Sequence, residues 1–235
     1  MKYIMSIILI VTHVIAQDYY AKIEPIEIYN IKSAVSGKVI FVNNNFESKI
    51  VKDNLLIKID DKVNKIELLQ TKNKLLNMKG VLKIHTETLK SFNKVSSKSK
   101  FDKDNQRIVI LNTKTTINDL KIRIETLKNN INNKNIKISN LYVHNIYVSK
   151  DDYVNPGTLL IKAYDLSKGK LEIFVSNDEL KNINTKTIII DGKITNLKIS
   201  KIFKITDSKH LSSYKVEIII PEVKQFSKLV KITFK

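Results

Sequence analysis

The side chains able to carry chemistry are sparse in this chain, and their spacing suits no reaction. Histidine occurs at His13, His85, His144 and His210, with no regular metal-ligand interval among them. Two adjacent carboxylate pairs, Asp60-Asp61 and Asp151-Asp152, fall where the apolar pattern changes. They read as a helix cap and a turn rather than as an acid/base couple. Cysteine is absent, which removes disulfides, thiolate metal sites and cysteine-linked lipid. Five glycines build no phosphate-cradling loop, and Met1, Met5 and Met78 form no cluster for a soft metal. No cofactor or metal is expected, and the chain reads as a non-enzyme.

What the sequence does carry is a repeat. Residues 50–58 and 154–162 share the form [Ile/Val]-x-x-[Asp/Gly]-x-Leu-Leu-Ile-Lys at an offset of 104. Before the first copy, residues 18–31 alternate apolar and polar after Pro25, and 34–42 form a second extended piece in which Gly37 suits a bulge or close packing. Residues 141–148 alternate again before the second copy, where Pro156-Gly157 supplies the turn. Beyond it, 171–175, 187–190, 194–205, 214–220 and 229–234 read as short strands, with Asp191-Gly192 a hairpin turn and 177–183 a helical turn. Strands of that number suffice for a small closed barrel.

The insert between the copies has a different period. From 62 to 138 there is no Pro and one Gly, Gly80. Leucine recurs every seventh residue at Leu68, Leu75, Leu82 and Leu89, and isoleucine at Ile110, Ile117, Ile124, Ile131 and Ile138. Three positions further on stand Thr71, Met78, His85 and Phe92, then Thr113, Leu120, Leu127 and Lys134. This is the a/d pattern of a two-stranded coiled coil. The serine-rich stretch 95–100 suits a helix–helix turn. An antiparallel hairpin whose facing numbers add to 195 pairs Leu68 with Leu127, Thr71 with Ile124, Leu75 with Leu120 and Met78 with Ile117, and turns between Ser97 and Lys98. The expected core is Leu68, Leu75, Met78, Leu82, Ile117, Leu120, Ile124 and Leu127, in arms of roughly 50 Å at 1.5 Å per residue.

At the N-terminus, Lys2 precedes an apolar run that ends in Val14-Ile-Ala16. The run is shorter than the roughly 20 residues that span a bilayer. It reads as a signal peptide over 1–16, cleaved to give an exported chain, with an uncleaved anchor or a buried strand as alternatives. The formal charge is +18. Lysine occurs in every segment beside abundant Asn and Ile, which reads as compositional bias, and arginine occurs only as Arg107 and Arg123. Nucleic acid is not an expected partner.

The order of these pieces, from about residue 21 to 235, resembles the periplasmic adaptor subunits, or membrane fusion proteins, of bacterial tripartite efflux and secretion systems (the HlyD-like family). Residues 34–39 with the first repeat are similar to one lipoyl half-motif, and 145–162 running on to 175 to the other half and the start of the barrel. Residues 191–194, 200–203 and 214–221 are similar to barrel strands. The resemblance implies an α+β fold: a lipoyl-like β-sandwich from two half-motifs, interrupted by an antiparallel α-helical coiled-coil hairpin and followed by a small β-barrel domain. The implied divisions are 17–31 as an N-terminal strand joining the barrel, 32–61 and 139–166 as the half-motifs, 62–138 as the hairpin and 167–235 as the barrel. Leu141 departs from the pattern, standing where Gly37 predicts a glycine.

The implied function is a link between an inner-membrane transporter, of the resistance-nodulation type, and an outer-membrane channel. Self-association as a trimer or hexamer and a periplasmic location at the inner membrane are also implied. The family's hairpin tip docks the channel through Arg-x3-Leu-x6-Ser. Here His85-x3-Leu89-x6-Ser96 keeps the spacing with His for Arg, so the implied docking residues are His85, Leu89, Ser96, Ser97 and Lys98. Two rivals stand beside this. A secreted or surface coiled-coil interaction protein would use the rod to self-associate. A lipoyl or biotin carrier would need Lys62 at a β-turn, where the chain instead enters the rod.

Overall fold

Segments of apolar alternation form strands that end where Asp, Asn, Pro or Gly breaks the pattern, and the computed structural model shows how those strands pair. It describes residues 17–206 and 208–235. The expected signal segment, 1–16, with His13 inside it, lies outside the described residues. In chain order the elements are β1 (Asp18–Lys22), β2 (Glu24–Lys32), β3 (Gly37–Val42), β4 (Lys49–Val51) and β5 (Asn54–Ile59), then α1 (Lys62–Lys94) and α2 (Lys100–Asn133). There follow β6 (Asn135–Ile138), β7 (Leu141–Ile146), β8 (Tyr153–Val154), β9 (Leu159–Ser176), α3 (Asn177–Leu180), β10 (Ile188–Ile190), β11 (Lys193–Ile194), β12 (Ile199–Ile202), β13 (Ser213–Ile220) and β14 (Leu229–Phe234). The chain divides into two units, Tyr29–Ala163 and the remainder.

In the unit Tyr29–Ala163 the sequence repeat becomes a structural one. A shift of 104 carries β3 onto β7, β4 onto β8, and β5 onto the first residues of β9. The copies exchange their short strands. β3 pairs with β8 through Gly37↔Val154 and Lys38↔Tyr153, and β4 pairs with β7 through Lys49↔Val143, Ile50↔Tyr142 and Val51↔Leu141. Val39, Leu56, Ile57 and Ile59 from one copy and Val143, Leu160, Ile161 and Ala163 from the other are shut off from solvent in one core. Neither copy closes a core alone, which is why halves separated by a long insert still fold as one module.

The shift also explains the variable positions of the motif. Asp53 and Gly157 occupy the same place and both have positive φ, 54° and 91°. Only Gly, and at some cost Asp or Asn, takes that conformation readily. Gly37 is needed because a Cβ there would lie 2.6 Å from Ile59 Cγ2. The positions equivalent to Gly37 and Ile59 are Leu141 and Ala163. The small residue has changed strands between the copies, which accounts for the missing second glycine.

The helices stop earlier than the heptads do. Ile138 continues the seven-residue series but lies in β6, paired with Asn54 on β5 and buried in the sheet core. The hairpin therefore spans 62–133, not 62–138. Lys134 ends α2 with its N–H on Asn130 O at 3.2 Å, and its own carbonyl accepts Ile59 N–H at 2.8 Å. That exchange fastens the foot of α2 to β5.

In the other unit β1 pairs with β14, and β10 with both β14 and β11, all antiparallel. β13 pairs with β9 and with β12. Leu171, Ile173, Val175, Val216 and Ile218 share a core with Ile188, Val230, Ile232 and Phe234. Asp191-Gly192 makes the expected two-residue turn, with φ of 48° and 78°. Residues 194–205, expected as one strand, divide into β11 and β12. Conversely β9 is a single strand of 18 residues, where the sequence suggested two.

Candidate functional site: the helical hairpin and its tip

A helix entering from a strand needs its first N–H groups satisfied, and of the two aspartates before α1 only Asp60 supplies a side-chain cap. Asp60 Oδ1 accepts the Lys62 N–H at 3.0 Å. Asp61 turns inward and is buried, with Lys65 Nζ 2.9 Å from its Oδ2. Burial works to raise the Asp61 pKa, but Lys65, Lys58 and the Asn135 side chain together hold it below the ordinary aspartate value.

Along the shaft, Thr71 on α1 and Ile110, Thr113, Ile117, Ile124 and Leu127 on α2 are buried. Leu68, Leu75, Met78, Leu82 and Leu120 are half-buried, and most of the positions between them are exposed. The buried threonines satisfy their hydroxyls on their own helices, Thr71 on Glu67 O and Thr113 on Val109 O, each at 2.8 Å. Two polar contacts cross between the helices. Arg123 Nε donates to Glu67 Oε1 at 2.9 Å, and Gln106 Nε2 donates to the His85 carbonyl at 3.0 Å while lying 3.2 Å from its Nδ1.

At the far end, Val95 is the C-cap of α1 and Ser99 the N-cap of α2. The Ser99 hydroxyl accepts the Asp102 N–H at 3.0 Å, and Asp102 Oδ2 accepts the Ser99 N–H at 3.3 Å. This reciprocal capping box fixes where the second arm starts. Lys98 Nζ sits 4.8 Å from the centre of the Phe92 ring, a cation–π contact across the turn. Val95 and Phe101 are 47% and 73% exposed. Within 90–103 five lysines face one acid, Asp102, so the tip is a basic cap with two apolar studs.

The docking residues inferred from sequence fall into two groups. Ser96, Ser97 and Lys98 are exposed on the turn. His85 and Leu89 are half-buried on the shaft, and His85, ten residues before Val95, lies about 15 Å below the tip at 1.5 Å per residue. Its ring is engaged by Gln106 between the helices. Sequence reasoning missed Gln106, Val95 and Phe101. The Ser-x-x-Asp of the capping box was a readable signal for the second helix, and Gln106 stands at a d position of the same heptad register.

Among the described residues no group of three or more His, Asp or Glu could hold a metal, and no helix is long and apolar enough to cross a membrane. A groove of about 690 Å³ beside Ile183, Lys186, Ile188, Ile194 and Leu197 has no acid or histidine in its lining.

No family model and no curated protein matches the sequence. Solved structures do match the fold. The chain is similar to a MacA–MexA chimera containing the Pseudomonas aeruginosa MexA α-hairpin domain, at 18% identity, covering 94% of this chain and 81% of that one with a TM-score of 0.66. It is also similar to the membrane fusion protein Spr0693 from Streptococcus pneumoniae R6, at 10% identity, 93% and 98% coverage and a TM-score of 0.68. ZneB from Cupriavidus metallidurans is similar at 16% identity, 93% and 70% coverage and a TM-score of 0.55. Two clasped sheet repeats interrupted by a helical hairpin and followed by a second β unit therefore give this chain the fold of the membrane fusion, or periplasmic adaptor, proteins.

Proposed function

We propose that this chain is a periplasmic adaptor that links an inner-membrane transporter to an outer-membrane channel in an efflux system. The observation that carries the reading is the exchange of β3·β8 and β4·β7, which seats both feet of a long hairpin on one rigid sheet module. Such a build suits transmitting position along a rod. The matched structures include membrane fusion proteins, which supports the same role. In this reading the transporter is of the resistance-nodulation type and supplies the energy, copies assemble as a trimer or hexamer, and 1–16 is a cleaved signal that delivers the chain to the periplasm. Ser96, Ser97 and Lys98 make the first contact with the channel, with Val95 and Phe101 beside them, while Leu89 and His85 hold the shaft beneath.

The absence of cysteine makes the test clean. Ser96→Cys or Lys98→Cys in the otherwise cysteine-free chain should crosslink in cells to an outer-membrane channel, and Ser139→Cys, past β6 at the end of β5 away from the hairpin, should not. Capture of cytoplasmic proteins alone would overturn the reading. Light scattering of the isolated chain adds a second check, since a stable dimer held through 62–133 would favour the rival self-associating rod.

A further inference from the structure

Lysine is spread along the whole chain, but net charge is not. Residues 62–134 carry seventeen Lys and Arg against six Asp and Glu, whereas 32–61 and 135–166 together carry eight against seven. A uniform compositional bias does not produce that difference. Within the hairpin the cations are sorted again. With Leu68 and Ile110 as a positions, the e positions are 65, 72, 79, 86 and 93 on α1 and 100, 107, 114, 121 and 128 on α2. Eight of these ten are basic, against nine of the other sixty-three residues of 62–134. They are Lys65, Lys72, Lys79, Lys100, Arg107, Lys114, Lys121 and Lys128, and all eight are exposed.

The geometry puts them on one edge. Glu67 and Arg123 are both g positions and meet across the hairpin, so the e positions of both helices line the opposite side. In an antiparallel heptad register, residues whose numbers add to 193 fall at facing levels on that side: Lys65 with Lys128, Lys72 with Lys121, Lys79 with Lys114. Like charges at facing positions weaken a helix pair, where opposite charges would support it. Only three of the eight have a carboxylate of their own, Lys65 with Asp61, Arg107 with Asp104 and Lys128 with Glu125. Among the described residues Lys72, Lys79, Lys100, Lys114 and Lys121 form no ion pair.

We propose that this edge docks lengthwise on an acidic helix of a protein partner whose carboxylates recur about every seventh residue. Cations seven residues apart repeat at about 10 Å, and Lys100 to Lys128 spans about 40 Å. A straight, narrow ladder on rigid helices matches the spacing of another rod. A flat anionic membrane would instead engage a patch spread over a face. A second copy of this chain does not fit, because its hairpin acids Glu67, Glu87, Asp102, Asp104, Asp119 and Glu125 are scattered over four heptad positions and form no matching line. Apart from Lys100, which the tip shares, the edge lies along the shaft and includes none of the docking residues inferred from sequence, so the proposal stands apart from the adaptor reading.

The test uses the full chain and three kinds of probe: a synthetic helix with Glu at every seventh position, the same composition with Glu off that spacing, and phosphatidylglycerol vesicles or polyphosphate. The spaced helix should bind at least about tenfold tighter than the scrambled one, and binding should weaken steeply with salt. Lys72→Glu/Lys79→Glu/Lys114→Glu/Lys121→Glu should lose roughly thirtyfold or more, and Lys52→Glu/Lys150→Glu/Lys193→Glu/Lys224→Glu, with the same change in net charge, less than about threefold. Lys72→Glu/Lys79→Glu alone sets carboxylates opposite Lys121 and Lys114, so it should raise Tm while weakening the spaced helix. Equal binding of both peptides, preference for vesicles or polyphosphate, equal loss in the two quadruple variants, or a fall in Tm in the double variant would overturn the proposal.

Discussion

The clasped sheet and the hairpin alternate along one stretch of chain, yet different forces hold them. In the sheet, Val39, Leu56, Ile57, Leu160 and Ile161 have no exposure, and the charges of the segments that build it nearly balance. In the hairpin, α1 contributes a single buried side chain, Thr71, and the helices share a large surplus of lysine. The sheet is a dry core that salt should hardly touch. The hairpin is a thin apolar seam with self-repelling charge on one edge, so its stability should follow ionic strength. A rigid base with a tunable arm suits a protein that must place a distant tip while accommodating a partner.

The sharpest way to break this contrast is to hollow the base. Leu160→Ala removes a fully buried side chain from the core that both repeats share, and should cost about 3–4 kcal/mol in urea unfolding. Hydrogen exchange should rise in both copies together, because neither completes a core alone. Ile117→Ala in the seam should cost less, about 2 kcal/mol, since the site opens to solvent on its flanks. Exchange should then quicken in α1 and α2 and leave β3, β5 and β7 protected. Raising salt from about 50 to 500 mM should recover part of the loss in the seam variant and little in the sheet variant. Equal salt responses would remove the distinction.

How much of this was legible depended on whether a feature is written in one period or in two. The heptads announced α1 and α2, and the repeat announced the two sheet halves at their offset of 104. Ile138 misled because an apolar isoleucine at the next seventh position serves a helix or a buried strand equally well; only its pairing with Asn54 decides. Polar Ser167-Lys168-Gly169 makes the 18-residue β9 look like two strands in the sequence. The chain stays extended there because Gly169 admits close packing, a Cβ falling 2.5 Å from Val223 Cγ2. At the tip, Ser96, Ser97 and Lys98 were read from spacing, but the exposure of Phe101 and the Gln106–His85 contact needed the fold. The basic edge was visible in sequence only after lysines were sorted by heptad position, since an overall count hides their alignment.

A smaller effect separates the regions at their joint. Asp61 sits where β5 hands over to α1, and its pKa is lowered in the fold. A carboxylate with a depressed pKa contributes stability that is present above its unfolded pKa, near 3.8, and is lost as the pH falls through the folded value. Asp61→Asn should therefore cost on the order of 1 kcal/mol at pH 7 and nearly nothing near pH 2. Thermal melts of both proteins across that range would show the curves converge on acidification, and parallel curves would assign the effect to packing instead.

The smallest effects test the backbone alone. Gly80 lies in the middle of α1 and Gly157 in the turn before β9, and a Cβ added at either would meet no atom within 4 Å. Packing therefore cannot decide what alanine does at these places. Helical Gly80 loses entropy that alanine does not, so Gly80→Ala should stabilise by about 1 kcal/mol. Gly157 has φ of 91°, where a Cβ strains the chain, so Gly157→Ala should destabilise by about 1 kcal/mol. Asp53 in the matching turn already bears that strain at φ 54°, and Asp53→Gly should recover some tenths of a kcal/mol of it, less than the full strain because glycine adds unfolded-state entropy. Opposite signs for two alanines in equally open space, measured by urea titration, would show that conformation governs both the arm and the clasp where side chains touch nothing.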